Sequence, residues 1–74
     1  MTLTQLKYAI TVAGCRSMNE AAHELFISQP SLSASMKELE EETGIQIFRR
    51  TNRGISLTPQ GEEFLGYARQ VVEQ

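Results

Sequence analysis

A small, mainly α-helical domain with one two-stranded β hairpin is the fold class this sequence predicts, and three observations carry it. Apolar residues recur at helical spacing in four separate segments. Ser, Thr, Gly and Pro stand at the positions where such helices would start and stop. Residues 45–57 instead show two short alternating runs around a polar loop. The chain has 74 residues, enough for one domain and near the lower limit at which a single core holds without metals or disulfides.

The first helix is expected in "LTQLKYAITVA", where Leu3, Leu6, Ile10 and Ala13 share a face with Ala9 beside them, and Gly14 ends it. A short second helix follows in "NEAAHELF", with Ala21, Ala22 and Leu25 inward. Its cap is either Asn19, or Ser17 answered by Glu20 three residues later. "FIS" is a tight connection into a third helix, which has Ser28 as N-cap and Pro30 in its first turn. Gly44 supplies the left-handed residue that closes that helix. Ile45 and Ile47 then alternate, as do Ile55 and Leu57, and "RRTNRG" between them reads as a hairpin loop. "TPQG" restarts a helix with Thr58 as cap and Pro59 in first position. Its apolar stripe, Phe64, Leu65, Ala68, Val71 and Val72, runs to the end of the chain.

The third helix has an unusual outer face. At 100° per residue, Met36, Leu39 and Thr43 fall within about forty degrees of Leu32, and this side faces the core. Pro30, Ser33, Ala34 and Lys37 lie opposite, with Gln29 at the edge. That face has no bulky apolar group and, through its first two turns, no negative charge. Small side chains let the backbone approach another surface, and the free N–H groups at the helix start favour an anion such as phosphate. Gln29 and the serines both donate and accept hydrogen bonds, as reading base edges in a major groove requires. A serine-rich face is by itself ordinary solvated surface, so its neighbours decide. A short helix, a tight turn, a helix with such a face and then an arginine-rich hairpin is the order of a winged helix-turn-helix.

The charge pattern agrees. The formal net charge is −2, which does not favour nucleic acid. Yet residues 25–37 contain no acid and end in Lys37, and residues 43–61 contain none and carry Arg49, Arg50 and Arg53. All nine glutamates lie outside these windows, so the local field is positive whatever the total.

At this point the sequence resembles a known family. "LTQLKYAITVA", "SMNEAAHELFISQPSLSASMKELEEETGIQIFRRTNRGISLTPQG" and the following helix resemble the N-terminal domain of LysR-type transcriptional regulators. The resemblance covers nearly the whole chain. It implies a winged helix-turn-helix over 1–57 and, over 58–74, the start of a linker helix that pairs two subunits. The effector-binding domain that follows in the family is absent from this sequence. The start of the family's recognition helix maps onto Ser28, Gln29, Pro30, Ser31 and Ser33, and its wing onto Arg50, Thr51, Arg53 and Gly54. With Ala34, Lys37 and Arg49 these are the candidate DNA-binding residues. Phe64, Leu65, Ala68, Val71 and Val72 are the candidate dimer residues. The expected partners are double-stranded DNA, as an interrupted inverted repeat, and a second copy of the chain in a homodimer or higher oligomer. Two departures stand out. Ala34 and the region of Glu38 lack the basic residues common in the family, which implies fewer contacts from the helix's second turn. Arg49 stands where an acid is common, which implies added charge on the wing.

Other chemistries lack their parts. There is no aspartate, one histidine, one cysteine and no glycine-rich phosphate loop, so no catalytic constellation can be assembled. Cys15 is expected as a small buried hydrophobe, because no second thiol could resolve an oxidised form. His23 has no partner ligand and is expected in solvent, with no metal and no cofactor. "ELEEE", residues 38–42, is expected as a solvated helix end directed away from the duplex. No apolar run is long enough for a bilayer and no signal-peptide pattern is present, so a cytoplasmic protein without membrane association is expected. The alternative from another class is a winged-helix module that binds a protein. Three arginines in five residues without a nearby acid disfavour it.

Overall fold

Each of the four helices begins on a hydroxyl side chain that accepts a hydrogen bond from the amide three residues on. In the computed structural model, which describes residues 1–73, these pairs are Thr2 with Gln5 at 3.1 Å and Ser17 with Glu20 at 3.1 Å. The others are Ser28 with Ser31 at 3.2 Å and Thr58 with Gly61 at 2.9 Å. The helices so started are α1 (Leu3–Ala13), α2 (Met18–Leu25), α3 (Gln29–Thr43) and α4 (Pro59–Glu73). Ser17, not Asn19, therefore caps α2. α3 ends at Gly44, whose φ of 72° is the left-handed conformation expected of it.

The hairpin forms from β1 (Phe48–Thr51) and β2 (Gly54–Leu57), paired antiparallel with Phe48 opposite Leu57 and Thr51 opposite Gly54. The first strand starts later than the Ile45–Ile47 alternation predicts. The amides of Ile47 and Phe48 donate to the Glu40 carboxylate at 2.7 and 3.1 Å, so the chain here is held by α3 before it reaches its partner strand. Ile47 is wholly buried all the same.

The core is built from α1, α2, α3, the start of β1 and α4. Its members are Leu6, Ala9, Val12, Met18, Ala21, Ala22, Leu32, Met36, Leu39, Ile47, Phe48, Leu65 and Ala68. Alanines at the α1–α2 approach let the two helices come close. The inward face of α1 is rotated from the expected stripe. Leu3 is half exposed, whereas Gln5 and Val12 are buried, because α1 is covered by α2 and α3 on one side and by α4 on another. Buried Gln5 is fully used: its Oε1 accepts from the Thr2 amide at 3.0 Å, and its Nε2 donates to Glu38 at 2.9 Å. This pair ties α1 to α3.

The acidic end of α3 also differs from expectation. Glu38 accepts from Gln5, Glu40 holds two backbone amides, and Glu42 pairs with the Met1 ammonium in the one ion pair among the described residues. Three carboxylates of "ELEEE" are thus structural fasteners rather than free solvated charge. In α4, Leu65 and Ala68 are 0% and 2% exposed within the single chain. Both are candidates for the dimer seam by sequence, and within the single chain both belong to the core. Val71 is 54% exposed, Phe64 and Val72 are half-buried, and Gln74 lies outside the described residues.

Candidate nucleic-acid interface

Two elements meet at the site. α2 and α3 are joined by Phe26, Ile27 and Ser28, with Phe26 in the left-handed conformation at φ 59°. Its amide still closes α2 by donating to His23 O at 3.2 Å, and the Ile27 amide donates to Ala22 O at 3.1 Å. This tight corner fixes α3 against α2 and leaves the first two turns of α3 at the surface. Leu32, Met36 and Leu39 hold the opposite side in the core. Pro30, Ser31, Ala34 and Lys37 are exposed, and Gln29 and Ser33 are half-buried, as the helical arithmetic requires.

The wing stands beside α3. Arg49, Arg50, Thr51, Asn52 and Arg53 are all exposed, and none of the three arginines has a carboxylate partner among the described residues. At the tip, the Arg53 amide donates to Thr51 Oγ1 at 3.2 Å. Just past the turn, the Ile55 amide donates to Arg16 O at 3.0 Å, which seats the outer end of the hairpin on the loop between α1 and α2. Gly54 makes that seat possible. It has φ 122°, and a Cβ there would stand 2.1 Å from Arg16 O.

The two elements are linked through side chains. Arg50 Nη2 donates to Ser33 Oγ at 2.9 Å, and Gln29 Nε2 donates to the same oxygen. A cleft of about 340 Å³ lies between α3 and β1, with Ser33, Ala34, Lys37 and Arg50 among its lining. The site thus offers a helix N-terminus without acids, the polar side chains of Gln29, Ser31 and Ser33, and, on a hairpin of four residues per strand, three guanidinium groups without a carboxylate partner among the described residues. That combination attracts a polyanion and presents hydrogen-bonding groups to it. Sequence reading found Gln29, Ser33 and Arg50 separately but not their contact. It also missed Arg16 and Glu40, which hold the wing at its two ends, Arg16 by its carbonyl and Glu40 by its carboxylate, each accepting from backbone amides in bonds that leave no pattern in composition or spacing.

Cys15 is no part of this surface. Its thiol is pushed up to about 12 by burial first, then by its hydrogen bond to Glu24 at 3.0 Å and the nearby charges of Glu24 and Glu20. It stays protonated near neutral pH and is a poor nucleophile. No cluster of side chains that could hold a metal ion occurs among the described residues, and no helix among them is long and apolar enough to cross a membrane.

Residues 3–62 match the family model described as "Bacterial regulatory helix-turn-helix protein, lysR family". The chain belongs to the LysR family. Among curated relatives, it is 44% identical over 72 residues to the HTH-type transcriptional regulator BudR of Raoultella terrigena, covering 97% of this chain and 25% of that protein. It is 42% identical over 73 residues to the regulator TcbR of Pseudomonas sp. (strain P51), covering 99% of this chain and 25% of that one. The chain therefore spans a quarter of the length of these LysR-family relatives. Among solved structures, it matches a CbnR_DBD–DNA complex with a TM-score of 0.94 and 42% identity, over 99% of this chain and 84% of that one. A BenM_DBD/catB site 1 DNA complex matches with a TM-score of 0.92 and 40% identity, over 99% and 78%. The mainly helical fold with one two-stranded wing is that of these LysR-family domains.

Proposed function

We propose that this chain is the DNA-binding portion of a cytoplasmic, non-enzymatic LysR-family transcriptional regulator, recognising a specific double-stranded sequence. The supporting observation is the pairing of an acid-free α3 N-terminus with an arginine wing that has no internal charge partner. α3 enters the major groove, where Ser28, Gln29, Pro30, Ser31, Ser33, Ala34 and Lys37 approach bases and flanking phosphates. The wing residues Arg49, Arg50, Thr51, Arg53 and Gly54 lie on the backbone or the adjacent minor groove. That solved relatives of 40–42% identity are themselves described as DNA complexes supports the same reading.

The test is selection of bound duplexes from a random pool, read by sequencing. An interrupted inverted repeat should be enriched. A pool that emerges without any shared sequence would contradict sequence-specific binding.

We further propose that 1–57 with the first turns of α4 form the reading head, and that the outer face of α4 pairs two copies. Leu65 and Ala68 support that face from within, while Phe64, Tyr67, Val71 and Val72 stand at or near the surface. Tyr67 is 62% exposed, so a continuous apolar strip is available to a partner helix. Sedimentation across a concentration range should show weak self-association that Val71→Glu removes. A monomer at every concentration would mean that the strip only completes the core.

A further inference from the structure

Among the described residues, Arg50 is the wing arginine whose guanidinium is tied back to α3, across 17 positions of sequence. A guanidinium has donors and no acceptor, so the polarity of this bond is fixed: Ser33 Oγ accepts. The same oxygen accepts from Gln29 Nε2. A hydroxyl oxygen has two acceptor sites and one hydrogen, so with both sites filled the Ser33 hydrogen is all it has left to offer. Ala34 ends at Cβ and leaves open the cleft that the Arg50 side chain borders.

We propose that Arg50 is a specificity-determining residue that acts through Ser33. It commits the Ser33 hydroxyl to donating, and through Ser33 it holds the Gln29 amide in place. The wing thereby sets which bases α3 accepts. This rests on the reading of α3 as the groove-facing helix. A hydroxyl confined to donating pairs with guanine N7 or O6, adenine N7 or thymine O4, and gains nothing from the amino groups of cytosine or adenine. Gln29 keeps its Oε1 and its second N–H, the pair that matches adenine N6 and N7. Arg50 is thus a positioning residue, and any phosphate contact it also makes is a separate contribution.

The experiment repeats the random-pool selection with Arg50→Ala, Ser33→Ala, the double variant and Gln29→Ala. Thermal melts show that each variant is folded, which the exposed or half-exposed positions permit. Arg50→Ala should reduce base preference at one position of each half-site by about 5- to 10-fold. Ser33→Ala should flatten the same position, and the double variant should lose no more there than either single change. A merely electrostatic Arg50 would lower binding to all duplexes and leave every preference intact, which overturns the proposal. Additive losses from Arg50→Ala and Ser33→Ala would overturn it too, since the two would then act independently. If Gln29→Ala and Ser33→Ala alter no preference at all, the groove-facing reading of α3 fails and this proposal falls with it. If Gln29→Ala alters preference while Arg50→Ala does not, only the present proposal fails.

Discussion

Gly61→Val prevents this domain from folding stably, and Gly61→Ala lowers its stability by about 1–3 kcal/mol. Gly61 lies in the first turn of α4, where a Cβ would stand 2.1 Å from Ile47 O, 2.9 Å from Ile47 C and 3.0 Å from Ile47 Cα. All three are backbone atoms and cannot swing aside. Ile47 O is also the acceptor for the Thr58 amide at 3.1 Å, so displacing it loosens the cap of α4 as well. The whole stability of a domain this size is only about 4–11 kcal/mol, and a branched side chain at 61 removes much of it. Gly66, in the same helix, is the control. A Cβ there meets nothing within 4 Å, so Gly66→Ala should add about 0.5–1 kcal/mol through helix propensity. Urea denaturation followed by circular dichroism separates the two. Equal effects at 61 and 66 would mean that close approach to Ile47 plays no part.

This contrast also marks what was legible in the sequence. Ser28, Gly44, Thr58 and Pro59 could be placed because a cap depends on residues within one turn of it. The core face of α3 was legible because Leu32, Met36 and Leu39 recur at helical spacing and all three are buried. α1 was misread because it is covered from two directions, so burial reaches Gln5 and Val12 and releases Leu3. The start of β1 was misread because Glu40, seven residues before Ile47, takes the amides that an earlier strand would have used. In α4 the stripe is real, but periodicity does not say whether the chain's own core or a partner covers it, and for Leu65 and Ala68 the chain's own core does. At the interface, the residue types and their face could be read, whereas the Gln29–Ser33–Arg50 contact needed the hairpin's position beside α3.

Replacing all three wing arginines together, as Arg49→Gln, Arg50→Gln and Arg53→Gln, should cost affinity for a random duplex on the order of a hundredfold at about 0.15 M salt. Each phosphate contact contributes a log–log salt slope of roughly −0.9, so three lost contacts flatten the slope by about 2.7 units. The chain has few other cations to compensate. Lys37 is the one cationic side chain on the exposed face of α3, and the helix N-termini supply only partial charges. The arginines are exposed and without carboxylate partners among the described residues, so their removal should leave the melting temperature nearly unchanged. Titration of a random duplex at several salt concentrations measures the slope directly. An unchanged slope would place the wing away from the phosphates.

The division of labour between α3 as reader and the wing as anchor is tested most directly by Gln29→Ala against Arg53→Ala, each titrated with the selected duplex and with a random one. Gln29 has an amide that can pair bidentately with adenine, and its loss should cost about 1–3 kcal/mol on the selected site and little on random DNA. Arg53, at the hairpin tip, should weaken both duplexes together and lower the salt slope by about one unit. The account predicts that the ratio between the two duplexes collapses for Gln29→Ala and survives for Arg53→Ala. Equal losses on both duplexes for Gln29→Ala would show that the third helix is not the reader.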